Sequence, residues 1–231
     1  MGKEDDILKL IKSKGSTTVE AFEKSKAAFM ILKKVLQLVE QEVKSGLAAS
    51  DARIPMEFDD KGRLEVHFKF ADDVLVFLMH TNIFTFDASH HIHQSTYVKE
   101  NPLREFCGMI YVYNFLYESV KFNRQNDMGV LVARMFINKE NHFFVEGKKQ
   151  IGLLFNDFAK DTISEDNLRK FVDALMLFVL EIDFKIPPYD AMIQTTLQDI
   201  TENTAHNKLI TGKRFGFVIP GSEPNPTTDS I

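Results

Sequence analysis

The chain has one cysteine, no tryptophan and no long apolar run, and each of these absences restricts what the protein can be. A single thiol, Cys107, cannot form an internal disulfide, which fits a reducing compartment. No segment approaches the roughly 20 apolar residues of a membrane helix. The charged N-terminus is not followed by the apolar core of a signal peptide. We therefore predict a soluble, cytoplasmic protein without a membrane partner.

The chain also lacks a net basic charge, because its net charge is −5 and the pI is about 5.8. Broad binding to nucleic acid needs a net basic face, so nucleic acid is an unfavoured partner. What the chain does have is phenylalanine, with 21 residues against 5 tyrosines. Phenylalanine is a packing residue with a large buried area. The composition therefore predicts a globular protein with a thick core.

The order of the patterns along the chain predicts one α+β domain over residues 16–219. Residues 1–15 read as a separate short helix that Gly15 ends. Thr17 and Glu20 resemble a capping box, which predicts the start of a long helix at this point. Residues 220–231 are rich in Pro, Gly, Ser and Thr, which predicts a disordered tail.

The long helix carries apolar residues at seven-residue spacing, at Phe22, Phe29, Leu36 and Val43. We interpret this stripe as the face that packs on a sheet. The alternative is a coiled-coil seam, which would make the protein a homodimer.

Alternating apolar and polar residues predict an antiparallel meander over residues 53–86 and a hairpin over residues 129–146. Ser164 with two acids after it predicts the N-terminus of a second amphipathic helix. Residues 104–123 fit both a helical stripe and a strand, and a proline near their start favours the helix narrowly. The fold class is thus a mainly antiparallel sheet covered by two helices. We also expect residues 151–155 to extend the sheet, residues 189–202 to form a helix and residues 214–219 to form a closing strand.

The hairpin ends in a candidate catalytic set, Glu146 and Lys148, with Asp127 just before its first strand. Two carboxylates can hold Mg²⁺, and a lysine beside them can stabilise charge that develops on a phosphate. The order and spacing resemble nucleases of the PD-(D/E)xK type over about 22 residues, although Asn126 stands where proline is usual. A turn at residues 138–141 would set Glu146 opposite Ala133. Asp127 would then lie on the order of 20 Å from Glu146 along the strand.

Two other groups of polar residues have the chemistry of a binding site. His90, His91 and His93, with His80 upstream, could bind a transition metal, but their spacing is more typical of a polar surface loop. Five basic residues could form an anion-binding patch if their strands adjoin: Arg134, Lys148, Lys149, Lys213 and Arg214. We predict no metal site and no cofactor.

The sequence contains no complete catalytic set, so we favour a non-enzymatic binding or assembly module whose ligand is a protein partner or a small molecule. The alternative is a metal-dependent nuclease-like enzyme that uses Asp127, Glu146 and Lys148. These two functions differ in whether the three side chains converge in space.

Overall fold

The structure, a computed structural model, describes residues 2–48, 50–125, 127–148 and 150–182. It begins with one long helix, α1 (Lys3–Ala48), and its last described helix is α5 (Glu165–Leu180). Six strands lie between them: β1 (Met56–Gly62), β2 (Glu65–Phe70), β3 (Asp73–Met79), β4 (Cys107–Leu116), β5 (Val130–Asn138) and β6 (Phe143–Gly147). The short helices are α2 (Thr96–Glu100), α3 (Tyr117–Lys121) and α4 (Ile151–Leu154), with 3₁₀ turns at His91–Gln94 and Pro102–Glu105.

The six strands form one antiparallel sheet in the order β1-β2-β3-β4-β5-β6. Each strand pairs with the next one along the chain, so the sheet is a meander throughout. This arrangement confirms the predicted α+β class and extends the predicted meander from residues 53–86 to the hairpin of β5 and β6. Among the described helices, none is long and apolar enough to cross a membrane.

One face of the sheet, here called the inner face, is covered by α1, which packs beside α5. Phe29 and Leu36 of α1 are buried, whereas Phe22 and Val43 are half-buried. Ser25 lies directly against Gly108 of β4, and Lys33 donates to Asp60 in β1 at 2.6 Å. The predicted burial of the seven-residue stripe is therefore confirmed for Phe29 and Leu36, whereas Phe22 and Val43 are covered only in part.

The predicted break at Gly15 is wrong, because α1 continues through it without interruption. A glycine inside a helix costs only about 1 kcal/mol relative to alanine. The continuous helix on both sides of Gly15, which packs in the core from Ala21 onward, outweighs that cost. Thr17 does not cap a helix here. Its side chain is buried, and Lys139 Nζ lies 3.5 Å from its hydroxyl oxygen.

The narrow preference for a helix over residues 104–123 is also wrong, since half of that segment is β4 and only Tyr117–Lys121 form an α-helix. Hydrogen bonds to β3 on one side and β5 on the other decide between two patterns that the sequence leaves nearly equal. The proline begins the short turn Pro102–Glu105 instead. Residues 151–155 do not extend the sheet, because Ile151–Leu154 form α4.

The predicted start of the second amphipathic helix is confirmed. Ser164 precedes α5, and its hydroxyl accepts a hydrogen bond from the backbone N–H of Asn167 at 3.1 Å. Leu168, Phe171, Val172, Leu175 and Val179 then form the buried side of α5. The helix expected at 189–202, the strand at 214–219 and the tail at 220–231 lie outside the described residues.

Candidate functional site on the outer face of the sheet

The opposite face of the sheet, here called the outer face, carries every second residue of each strand. Register places Leu78 opposite Tyr111, and Tyr111 opposite Arg134. Glu146 follows opposite Arg134 on β6. A single row of side chains thus crosses four strands on this face. Its character changes from apolar at β3 to charged at the β6 edge.

Half of the outer face is covered by residues 84–105, here called the cover segment. Its Ile92 and Val98 pack with Phe136 and Phe144 of the sheet in a buried cluster. Phe86 stacks edge-on against Phe136 with ring centroids 5.1 Å apart. The polar loop expected in this region is therefore polar on one side only, and its apolar side completes a second, smaller core.

A polar cluster fixes the end of the cover segment to the β5–β6 turn. The Tyr97 hydroxyl donates to Glu140 at 2.8 Å and accepts a hydrogen bond from the Asn138 side chain at 2.9 Å. Arg104 Nε donates to the Glu140 carboxylate at 3.0 Å. Burial raises the pKa of Tyr97 well above its ordinary value, so its phenol stays protonated as a donor. These contacts order the cover segment from its C-terminal end.

A second cluster fixes the other end of the cover segment to the sheet edge. His90 Nε2 lies 3.0 Å from Glu146 Oε1, and Arg134 donates to the other oxygen of the same carboxylate. The backbone N–H of Ile92 donates to His90 Nδ1 at 3.3 Å, so the neutral ring carries its proton on Nε2 and donates it to Glu146. Burial acts to raise the pKa of Glu146. Hydrogen bonds from His90 and Arg134 and the charge of Arg134 outweigh burial and lower that pKa.

The remaining half of the outer face, here called the open half, is not covered by the cover segment. It consists of Val76, Leu78, Tyr113 and Leu131, with Tyr111 at its boundary, where that ring also packs against the cluster under the cover segment. Leu78 and Leu131 are 38% and 36% exposed, and the two tyrosine rings stack with centroids 5.7 Å apart. Contiguous apolar area on a sheet face that none of the described helices covers is typical of an interaction surface.

Charged side chains of both signs border the open half. On the β1–β2 side, His67 Nε2 lies 2.6 Å from Glu65, and Lys69 donates to Glu57 at 3.0 Å. On the β5–β6 side, Arg134 is 42% exposed although it is paired with Glu146. An apolar centre with a polar, charged border is the usual arrangement of a protein–protein interface.

A cavity of about 350 Å³ lies on the covered half. Its polar walls are His91, Ser95, Asn156 and Asp157, and Phe144 contributes to its apolar side. Asp157 already accepts from its own loop, at the backbone N–H of Ala159, and pairs with Lys160 at 2.9 Å. The cavity has the size of a small-molecule site, but its acid is occupied by structural contacts.

The predicted catalytic residues have separate sets of partners. Asp127 accepts a hydrogen bond from Ser119 at 2.6 Å and lies beside Arg124, whereas Glu146 binds His90 and Arg134. The backbone N–H of Lys148 donates to a carbonyl of β5. Within the described residues, no group of three or more His, Cys, Asp or Glu side chains is placed to hold a metal ion.

The hairpin register differs by one residue from the expected one. Glu146 lies opposite Arg134, whereas we expected it opposite Ala133. The turn is shorter than predicted because Asn138 and His142 already pair through a backbone hydrogen bond of 3.0 Å. Asn141 takes the left-handed conformation, with φ 68°, that closes a three-residue turn. This register puts the carboxylate directly against the guanidinium.

The other predicted groups are only partly within the described residues. Of the basic patch, Arg134 pairs with Glu146, whereas Lys149, Lys213 and Arg214 lie outside the described part, so that patch stays a prediction. The histidines are divided among different partners. His93, for example, lies 3.5 Å from Glu105. Cys107 is buried as expected, and burial raises the pKa of its thiol well above the ordinary value.

The open half was missed by sequence reasoning, although a signal for it exists. Tyr111 and Tyr113 alternate with buried residues on β4, which is the pattern of a strand with one accessible face. The preference for a helix over this segment hid that pattern.

In comparisons with known proteins, no family model matches the chain, and no curated protein or solved structure matches it either.

Proposed function

We propose that the protein is a non-enzymatic binding or assembly module of the cytoplasm, which takes a protein partner on the open half of the outer face. The observation that supports this proposal is the contiguous patch of Val76, Leu78, Tyr111, Tyr113 and Leu131 beside the cover segment. Tyrosine and arginine are enriched among the residues that dominate binding energy. The open half offers two stacked tyrosines, and Arg134 lies next to Tyr111.

The shape of this surface supports a protein partner over a small molecule. Small-molecule sites are concave and enclose most of their ligand, whereas the open half is the side of a sheet, with Leu78 on β3 and Leu131 on β5 on either side of β4. Borders of both charge signs suit a partner that presents complementary charges around an apolar centre. A small ligand would need fewer charged groups and a deeper pocket.

The nuclease-like alternative, with Asp127, Glu146 and Lys148, stays an untested prediction. The contacts of Asp127 and Glu146 give it no support, because each carboxylate is bound by its own cation and hydrogen-bond donor. The stripe packs within the chain, so it no longer gives a reason to expect a homodimer formed through Phe22, Phe29, Leu36 and Val43. Self-association would need another surface.

The proposal is tested by placing a photo-crosslinking amino acid at Leu78 in the full chain expressed in cells. The matched control places it at Leu177 on α5, which is apolar and 62% exposed. We expect a discrete crosslinked product from Leu78 and none from Leu177. The product should disappear in Tyr113→Ala, provided that this variant keeps its melting transition.

Two results would contradict the proposal. Identical products from Leu78 and Leu177 would show that the crosslinks reflect general exposure. If neither position gives a product while aromatic small molecules raise the melting temperature of the parent and not of Tyr113→Ala, the open half binds a small ligand instead.

A further inference from the structure

The first turns of α1 carry an apolar stripe that nothing in the described structure covers. Every residue from 3 to 16 is exposed. At 1.5 Å per residue this exposed segment, here called the overhang, is about 20 Å long. Four of its side chains are large and apolar, with exposed fractions between 54% and 62%: Ile7, Leu8, Leu10 and Ile11.

This stripe continues the face of α1 that packs on the sheet. Steps of seven residues return to nearly the same side of a helix. From Ile7 such steps reach Ala21 and Ala28, and from Ile11 they reach Ser25 and Leu32, all of which are buried. The core-facing side of α1 therefore extends past the sheet. A surface helix would normally have polar residues at such uncovered positions.

Five of the seven charged residues of the overhang form two blocks of opposite sign, and Lys3 and Lys9 lie outside these blocks. Glu4, Asp5 and Asp6 lie at its N-terminal end, and Lys12 and Lys14 lie at its C-terminal end. If two overhangs pair in antiparallel orientation, the acidic block of each copy faces the basic block of the other. Parallel pairing would instead put like charges together. The sequence thus selects one orientation of self-pairing.

The apolar residues fit the same two-fold arrangement. An antiparallel pair centred near Lys9 brings Ile7 of one copy level with Ile11 of the other, and Leu8 level with Leu10. Lys9 is two residues from both isoleucines, which places it on the opposite side of the helix, so the two copies of Lys9 do not meet. Apolar complementarity and charge complementarity therefore have the same centre.

We propose that the overhang is a self-association surface, on which a second copy of this chain docks its own overhang in antiparallel orientation. The surface belongs to α1 and is distinct from the open half of the outer face. A contact about 20 Å long between two helices about 10 Å wide buries less than the roughly 1,200 Å² of a stable standard interface. The dimer should therefore be reversible and dissociate on dilution.

Sedimentation of the full chain at increasing concentration tests the dimer. The measured mass should rise from 26.5 kDa toward twice that value. Ile11→Glu should keep the chain monomeric over the same range. The matched control is Met30→Glu, because Met30 lies on α1, is 60% exposed against 62% for Ile11, and lies outside the overhang. The Met30→Glu chain should dimerise over the same concentration range as the parent.

A mixing experiment tests the orientation. One variant makes the overhang wholly basic, with Glu4→Lys, Asp5→Lys and Asp6→Lys. The other gives it a net acidic charge, with Lys12→Glu and Lys14→Glu, while Lys3 and Lys9 stay. Each should remain monomeric alone, and an equimolar mixture should form a heterodimer.

Three outcomes would overturn the inference. A parent chain that stays monomeric up to about 1 mM shows that the overhang does not self-associate at any useful affinity. A dimer that survives Ile11→Glu uses another surface. Two charge variants that fail to pair when mixed rule out the antiparallel arrangement.

Discussion

His90 Nε2 and Glu146 Oε1 lie 3.0 Å apart and join two segments that are 56 residues apart in the chain. Because the same carboxylate also binds Arg134, one side chain ties the cover segment to the last two strands of the sheet. The side chain of Glu146 is 27% exposed, so water screens this cluster only in part. The cluster sets the boundary between the covered and the open half of the outer face.

Glu146→Gln should lower the free energy of unfolding near neutral pH by about 1 kcal/mol, since the pair is partly exposed. Glutamine resembles the protonated acid. The pKa of Glu146 is lowered in the folded state, so its stabilisation is present above the ordinary value of 4.5 and is lost as the pH falls through the lowered pKa. The measurement is thermal unfolding of parent and variant between neutral and acidic pH.

The two melting temperatures should differ at neutral pH and converge in acid. The control is Glu23→Gln, whose side chain is 61% exposed and pairs only within α1. The melting temperature of this control should differ little from that of the parent at any pH. A gap between Glu146→Gln and the parent that stays constant into acid would show that the ionised carboxylate is not what stabilises the cluster.

Phe29→Ala should lower the free energy of unfolding by about 3–5 kcal/mol, because Phe29 is 1% exposed between α1 and the sheet and its removal leaves a cavity. The neighbouring Met30→Ala should change stability little, since Met30 is 60% exposed. Urea unfolding followed by circular dichroism measures both. Equal midpoints for the two variants would contradict the packing described for α1.

Gly108→Ala and Gly15→Ala should have opposite effects. A Cβ on Gly108 would lie 2.0 Å from Ser25 Oγ and 2.7 Å from Ser25 Cβ, so α1 would have to move from β4. Overpacking of this kind costs about 1–3 kcal/mol. A Cβ on Gly15 meets nothing within 4 Å, and alanine is favoured there by about 1 kcal/mol. The denaturant midpoint should therefore fall for Gly108→Ala and rise for Gly15→Ala. Destabilisation by Gly15→Ala would argue against a continuous α1.

Cys107 should react with a thiol reagent only when the chain unfolds. Its side chain is fully buried, and its raised pKa keeps the thiol protonated. Native protein mixed with an aromatic disulfide reagent should therefore show almost no absorbance change, and one thiol per chain should react in guanidinium. Rapid reaction of the native chain would place Cys107 at the surface.

Some elements are determined by short stretches of sequence. Ser164 with its following acids fixes the start of α5, because the cap hydrogen bond involves residues only three positions apart. The alternation in β2 likewise predicts its buried and exposed sides, since Val66, Phe68 and Phe70 are buried and their neighbours are not. Both signals depend on local geometry, which the sequence carries directly.

Other features depend on energies that the local sequence cannot rank. The break expected at Gly15 and the helix expected over residues 104–123 each depended on a local preference of about 1 kcal/mol or less. Hydrogen bonding of β4 to strands on both sides overrides a preference of that size. The one-residue change in hairpin register has the same origin, because the left-handed Asn141 shortens the turn.

The sequence by itself thus determined the α+β class, the antiparallel strands other than β4 and the buried stripe of α1, because these follow from side-chain periodicity. The tertiary structure decided which distant residues meet. It set Glu146 against Arg134 and His90, and it paired Asp127 with Ser119. It also placed the stacked rings of Tyr111 and Tyr113 beside the cover segment. Such contacts depend on strand register and on packing between remote segments, and periodicity within one segment contains neither.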